Sequence, residues 1–142
     1  MNLDQVELVQ SSWPVSAEKA DGFTSAFYGH LFSIDASAAR LFAGADIHAQ
    51  RKKLAQSLTS FVRALDAPDQ LLPMVGALGK RHLGYGIKPR HFDSVGDALL
   101  WALSDSLGDQ FTPELRAAWA EAYALIASVM KRALERSTVA TP

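Results

Sequence analysis

The stretch "LGKRHLGYGIKPRHF", residues 78–92, decides how the chain is organised. It contains the end of an apolar stripe at helical spacing, which is formed by Leu71, Val75, Leu78 and His82. Gly84 and Gly86 follow at once and predict the end of this helix, because glycine disfavours helix interiors and favours turns. Pro89 then suits the first turn of a new helix. A histidine therefore occupies the last inward-facing position before a turn, and it needs a partner.

The composition excludes several classes of protein and of site. The 142 residues are 49% hydrophobic and 20% charged, with a formal net charge of −1, which is typical of one soluble globular domain. Cysteine is missing from the sequence, so disulfides, thiolate metal sites, cysteine nucleophiles and thioether-linked haem are excluded. The longest run of like charge is formed by residues 51–53 within the short "QRKK" at 50–53. We therefore expect no nucleic-acid partner and no anionic-membrane partner.

The sequence shows no targeting or membrane-spanning segment. Its first ten residues, "MNLDQVELVQ", lack the basic and apolar stretches of a secretory signal. Its apolar runs are far shorter than the roughly 20 residues that span a bilayer. We therefore expect a cytoplasmic protein without a membrane contact. We also expect a single domain over residues 1–142, with a short polar tail from about 136 to 142.

Helical spacing recurs along the whole chain, whereas the period-2 alternation of strands does not. Helices are predicted near 3–18, 20–34, 37–42 and 46–65, between "DAPD" (66–69) and His82, from Pro89 past Leu103, and from Pro113 to about Ala133. Pro14 is expected to kink or end the first helix, and Asp46 is a plausible N-cap. Thr112 and Pro113 provide a cap and a first-turn proline for the last helix. The sequence thus predicts an all-α fold of about seven helices.

Two polar residues interrupt apolar helix faces. Gln50 lies in the inward stripe of the helix that starts at Asp46, and His82 ends the stripe of the next helix. Burying either group without a partner would cost roughly 1–3 kcal/mol. In one interpretation, the histidine caps the end of its helix and the glutamine bonds to the backbone, so that both polar groups have partners without a cofactor. Zinc is disfavoured because no histidine pair has metal-ligand spacing, whereas haem needs only one imidazole and apolar walls. Spacing alone permits haem without requiring it.

Five segments carry a family resemblance. They are "LVQSSW" (8–13), "FYGHLF" (27–32), "ARLF" (39–42), "LGKRH…YGIKPRHFDSVGDALLWAL" (78–103) and "LGDQFTPELRAAWAEAY" (107–123). From Leu8 to about Ala133 the chain resembles a globin of the single-domain bacterial kind. It is similar to the globin domains of flavohaemoglobins and also to neuroglobin. The resemblance implies a globin fold packed around a haem pocket.

The resemblance also implies which residues hold the cofactor. His82 falls on the ligand of the haem iron, so the expected cofactor is a non-covalent haem b. Phe42 falls on the phenylalanine beside the haem. Lys53 matches a position that pairs with a haem propionate in some relatives, and a solvated lysine is the alternative. His91 is a further candidate for propionate contact, and a place in the first turn of its helix is the alternative.

The same resemblance places two hydrogen-bond donors where a bound gas would lie. Tyr28 and Gln50 fall on the distal side of the haem, the face opposite the histidine ligand, and the apolar Leu54 follows one turn after Gln50. A phenol and an amide can both donate to the negative charge of bound O₂. Glutamine is a poor iron ligand, so permanent coordination by two histidines is not expected. Tyr28 remains a candidate ligand of ferric iron.

Two departures separate the chain from the flavohaemoglobin pattern. Flavohaemoglobins back the proximal histidine with a tyrosine and a glutamate, and the matching positions here are Phe92 and Leu134. The proximal side therefore resembles an O₂ binder more than a peroxidase. The chain also ends where a flavin and nicotinamide reductase would begin, and Gly84-Tyr85-Gly86 is a turn rather than a dinucleotide fingerprint. Turnover is expected to need an external reductase.

Two functions from different classes follow from these expectations. The first is an O₂-binding globin, with CO and NO as further ligands, that converts NO to nitrate. This would make it a nitric oxide dioxygenase without its own reductase domain. The alternative is a haem-based gas sensor or electron-transfer globin that acts through a partner protein. The sequence shows no transmitter domain, which counts against a sensor.

Overall fold

The computed structural model describes residues 1–13, 17–82 and 87–139, apart from the side chains of residues 17, 80–82 and 136–139. The helices are α1 (Leu3–Ser12), α2 (Ala17–Ile34), α3 (Ala36–Leu41), α4 (Ile47–Arg63), α5 (Pro68–His82), α6 (Pro89–Leu107) and α7 (Pro113–Val139). A short 3₁₀ turn, Gly108–Gln110, joins the last two helices. Within the described ranges there is no strand, and the predicted all-α fold is confirmed.

The residues predicted to begin helices do so in the structure. The Asp46 carboxylate accepts hydrogen bonds from the backbone N–H groups of His48 and Ala49, at 3.0 and 3.3 Å. The Thr112 hydroxyl accepts one from the Leu115 N–H at 3.2 Å. These side chains satisfy donors that the first turn of a helix leaves without partners. Pro89 occupies the first position of α6, where its missing N–H costs nothing.

The first helix is shorter than the 3–18 stretch, and its end before Pro14 is one of the two outcomes predicted for that proline. It ends at Ser12, and Trp13 already has extended backbone angles (φ −68°, ψ 131°). The residue before a proline is disfavoured in helical geometry, which explains why the helix ends before Pro14. Pro14 itself lies outside the described residues, as do Gly84 and Gly86 after α5.

Helices from different parts of the chain pack in pairs around the core. α2 lies against α6 and α4, while α7 lies against α5 and α1. The core therefore joins large side chains of α2, α6 and α7, among them Phe23, Phe27, Leu31, Leu99, Leu103 and Trp119. α4 and α5 follow each other in the chain yet rest mainly on different partners. The candidate site depends on these two helices, because α4 carries Gln50 and α5 ends at His82.

The tryptophans of the last two helices differ in burial. Trp119, on α7, is buried and its indole N–H donates to the Ser12 hydroxyl at 2.8 Å. Trp101, on α6, is 43% exposed. It lies two residues from both Leu99 and Leu103, which are buried. A two-residue offset rotates a side chain to the far side of a helix, so Trp101 faces outward.

No helix in the described ranges combines the length and apolar character that a bilayer span requires.

Candidate functional site

The structure brings Tyr28 and Gln50 together across α2 and α4. Tyr28 is 7% exposed, and its hydroxyl lies 3.5 Å from the backbone carbonyl oxygen of Gln50. This distance is at the upper limit of a hydrogen bond. The phenol is therefore held weakly, and its proton is free to turn toward a better acceptor.

Aromatic rings surround Tyr28. Its ring meets Phe42 edge-on at 5.5 Å between centroids and Phe27 at 5.0 Å, and Phe32 lies tilted at 5.7 Å. Such contacts fix the ring plane, because edge-to-face pairs are favoured at these separations. Burial raises the pKa of Tyr28 to about 12, since the charged phenolate is disfavoured away from water. Tyr28 therefore remains a neutral hydrogen-bond donor at neutral pH.

The three candidate residues on α4 differ in exposure. Gln50 and Leu54 are half-buried, one turn apart on the same face, while Lys53 is exposed. Within the described part of the chain the Gln50 amide makes no hydrogen bond and Lys53 makes no ion pair. The amide is thus available to a ligand, and the backbone bond considered as an alternative for this side chain is not formed here.

The residues present fit a flat apolar cofactor. Several apolar side chains pack on the core while retaining exposed surface, and they come from the end of α3 and from α4, α5 and α6: Phe42, Ile47, Leu54, Leu58, Leu78 and Val95. A macrocycle that covered them would remove this apolar surface from water, which is favourable. The weakly bonded Tyr28 hydroxyl adds an unfilled polar position. Both observations agree with a haem pocket.

The backbone at the end of α5 is closely held. A Cβ atom built on Gly79 would lie 2.9 Å from the Ala133 Cβ and 3.2 Å from the Met130 carbonyl oxygen. Only a glycine lets α5 approach α7 this closely. One turn later α5 ends at His82, whose side chain lies outside the described residues. The coordination of iron by His82 therefore remains a prediction.

Phe92 has neighbours that the sequence reading missed. Its ring is buried, with the Lys131 ammonium 5.3 Å from the ring centroid, which is within cation–π range. Tyr123 donates a hydrogen bond to the Phe92 backbone carbonyl. Burial, with the Asp93 and Asp97 carboxylates, raises the pKa of Tyr123 above its usual range. Both contacts join α7 to α6, and helical spacing within one helix does not indicate which residues of another helix it meets.

His91 lies in the first turn of α6, and both of its ring nitrogens are engaged. The residue is 4% exposed, and its Nδ1 accepts from the Lys88 backbone N–H at 2.8 Å. The proton must then sit on Nε2, which donates to the Ser37 hydroxyl at 2.8 Å. In this arrangement a contact between His91 and a haem propionate would require one of these bonds to be replaced.

Asp35 completes a network that the sequence did not indicate. It accepts hydrogen bonds from the hydroxyls of Ser37 at 2.6 Å and Ser94 at 2.7 Å. These bonds hold the pKa of the Asp35 carboxyl well below its usual range. The serine, histidine and aspartate do not form a hydrolytic triad. The His91 nitrogen facing Ser37 carries the proton, so it cannot take the proton of the hydroxyl.

The comparisons with known proteins agree with this architecture. The family model described as Globin matches residues 25–130. Flavohemoproteins are similar in sequence: one from Rhodopirellula baltica is 33% identical over 126 residues, and one from Bacillus subtilis is 32% identical over 124. These matches cover 87% and 86% of this chain but 31% of each relative. The chain therefore spans about a third of the length of these relatives.

A solved structure shows the same fold. It is an engineered carbene transferase made from a candidate nitric oxide dioxygenase of Rhodothermus marinus. The TM-score is 0.88 at 24% sequence identity, and the match covers 99% of this chain and 97% of the other. Family model, relatives and fold agree over nearly the whole helical bundle. The chain belongs to the globin family.

Proposed function

We propose that the protein is a haem globin that binds O₂ reversibly and converts NO to nitrate with an electron from an external reductase. The observation that carries the proposal is the Tyr28 hydroxyl, which is buried, neutral and weakly bonded next to Gln50. A globin pocket that only excluded water would not need this polar group, because a buried hydroxyl without a good partner costs free energy.

The cofactor would be held by residues on several helices. His82 would provide the axial ligand, Phe42 and Leu54 the apolar walls, and Lys53 an exposed cation for a propionate. Haem b, bound non-covalently, would supply the iron centre at which O₂ binds and NO is oxidised. CO would compete for the same position.

The distal residues act through hydrogen bonds. With haem in place, a hydrogen-bond donor directed at an electron-rich ligand such as O₂ would be effective in a pocket that excludes water. One net hydrogen bond of about 1–1.5 kcal/mol corresponds to roughly a tenfold change in affinity. Tyr28 and Gln50 together would slow O₂ escape about a hundredfold if their contributions added. A long residence time of O₂ in the pocket favours its reaction with NO over its release.

The proximal side is consistent with O₂ binding rather than with peroxide cleavage. Phe92 provides no hydrogen bond to a histidine ligand, and the Lys131 ammonium lies 5.3 Å from its ring centroid. A carboxylate raises the basicity of a histidine ligand, whereas a cation does not. We therefore expect weaker electron donation to iron than in a peroxidase-like centre.

The reaction requires one electron in addition to the two gases. One NO, one O₂ and one electron balance to one nitrate ion. The 142 residues contain no dinucleotide-binding fingerprint. The electron must therefore reach the haem from outside these residues, which is why the proposal includes a reductase.

Mixing the oxygenated, haem-loaded protein with an equivalent of NO tests the proposal. We expect stoichiometric nitrate and conversion to ferric haem. Tyr28→Phe serves as the matched variant and should yield less nitrate when O₂ is limiting, because O₂ is retained less well. Replacement of O₂ by NO without nitrate would contradict the proposal and favour a sensor or electron carrier.

A further inference from the structure

The surface formed by α2 and α6 carries a stacked aromatic pair, an exposed tryptophan on a half-buried histidine. Trp101 is 43% exposed, and its ring lies flat on His30, with 4.3 Å between centroids and 2° between planes. Ile34, one turn after His30 on α2, is 45% exposed. We call His30, Ile34 and Trp101 the Trp101 patch. Stacking holds the indole in one orientation, so the patch presents a preformed apolar surface.

Acidic residues flank the patch along α6. Asp97 and Asp105 lie one turn before and one turn after Trp101, and Asp93 lies one turn further. Residues four apart are neighbours on one helix face, so this acidic rim runs past the indole. All three carboxylates are exposed, and within the described part of the chain none forms an ion pair. The net charge of the chain is only −1, so the acidity of this face is local.

We propose that the Trp101 patch and its acidic rim dock a protein whose surface carries lysines or arginines around an apolar pocket. Exposed tryptophans are frequent anchors of protein interfaces, and a charged rim excludes wrong partners and speeds encounter. The negative charge of the acidic rim disfavours other binding partners. A second copy placed face to face would bring aspartates against aspartates, and a nucleic acid or anionic membrane would be repelled.

The identity of the partner follows from the proposed function, and only this step rests on it. A globin that consumes one electron per reaction needs an electron-donating protein to visit it repeatedly. Electrostatic steering suits this kind of brief encounter, because it raises the association rate without demanding a long-lived complex. The docking partner is therefore a reductase or other electron donor with a basic face.

Titration with a designed peptide tests the docking directly. The probe is a helical peptide with lysines at four-residue spacing around one phenylalanine, and the control peptide has glutamates in place of the lysines. The protein is the ¹⁵N-labelled, CO-bound globin. Its indole N–H signals separate the sites, because those of Trp13 and Trp119 are buried and bonded to Thr59 and Ser12. Only Trp101 should shift with the lysine peptide.

Variants and salt complete the test. Asp97→Asn with Asp105→Asn should weaken binding about tenfold, and so should an increase from about 20 to about 200 mM salt. Glu7→Gln with Asp69→Asn makes the same charge change on α1 and α5 and should leave binding unchanged. Equal shifts with both peptides, or no shift of Trp101, would overturn the proposal. A concentration-dependent Trp101 shift without peptide would assign the surface to a second copy instead.

The docking test does not depend on the proposed reaction. Nitrate formation by the same variants with a small chemical reductant should match that of the unaltered protein, because no docking is then needed. If the unaltered protein forms nitrate but Trp101 shows no docking of the lysine peptide, only the docking inference is contradicted. If the peptide docks but no nitrate forms, the proposed function is contradicted and the docking surface is not.

Discussion

Tyr28 combines properties that rarely occur in one core residue. Three aromatic rings fix its plane, burial keeps it protonated, and its hydroxyl has only a contact of 3.5 Å with the Gln50 carbonyl. A rigid ring loses little rotamer entropy when its hydroxyl binds a ligand. A glutamine must order a longer side chain for the same bond. We therefore expect Tyr28 to contribute more than Gln50 to the retention of O₂ in the proposed site.

Replacing Tyr28 by phenylalanine tests that ranking. Tyr28→Phe keeps the ring and removes the donor, so O₂ dissociation should rise by about tenfold or more. CO gains less negative charge on binding and should respond much less. Gln50→Leu should have a smaller effect on O₂, and the double variant should be non-additive if both donors serve one ligand. Equal changes for O₂ and CO would show that the effect is steric.

The raised pKa of Tyr28 predicts how stability changes at alkaline pH. The unfolded phenol ionises near 10, whereas the folded one ionises at about 12. Its contribution to folding is complete below pH 10 and is lost as the pH rises toward 12. Titration at 295 nm should show delayed ionisation, and Tyr28→Phe should reduce the alkaline loss of stability. Ionisation of every tyrosine near pH 10, with the fold retained, would contradict this expectation.

At the scale of elements, a polar network joins α3 to the start of α6. The Ser37 hydroxyl lies between Asp35, at the start of α3, and the buried His91 ring. Phe42 follows the last residue of the same six-residue helix. Because α3 is too short to be stable alone, this network contributes to holding Phe42 against Tyr28.

Removing the hydroxyl should therefore have a measurable cost. Ser37→Ala leaves the His91 Nε2–H buried without an acceptor, and we expect a loss of about 1–3 kcal/mol in the free energy of unfolding. The control is Ser33→Ala, an exposed serine bonded only to a carbonyl of its own helix, which should change stability by less than about 0.5 kcal/mol. Denaturant unfolding of both variants checks this, and equal stabilities would contradict it.

Two glycines on α5 offer an internal comparison. A Cβ on Gly79 would press against Ala133, whereas one on Gly76 would meet nothing within 4 Å. Gly76→Ala should stabilise the helix by up to about 1 kcal/mol. Gly79→Ala should instead cost about 1–3 kcal/mol and push the end of α5 away from α7. Thermal unfolding separates the two outcomes. A gain in stability from both variants would mean that α5 and α7 are not tightly packed there.

At the scale of the whole molecule, the local signals predicted the helices well and the polar contacts poorly. Asp46, Thr112 and Pro89 act over one turn, so their roles can be read from sequence. The pairing of Tyr28 with Gln50 depends on how α2 crosses α4, and the resemblance to globins placed both residues on the distal side. The network of Asp35, Ser37 and His91 joins residues more than fifty positions apart. Neither periodicity nor capping rules contain that information.

Haem would join parts of the fold that otherwise touch little. α4 packs mainly on α2, and α5 mainly on α7. A group bound between Gln50 and His82 would bridge these pairs and bury the half-exposed apolar side chains of α4 and α5. Binding to the folded state alone stabilises it by mass action, so haem should raise the unfolding temperature as well as give the protein its spectrum.

His82→Ala separates these roles. The variant should lose stable haem, or retain it only with added imidazole, and should then unfold like the haem-free protein. His48→Ala changes an exposed histidine on α4 and should keep both the haem spectrum and the raised unfolding temperature. Absorption spectra and thermal unfolding with and without haem check both variants. An unaltered five-coordinate histidyl-haem spectrum in His82→Ala would assign the iron ligand to another residue.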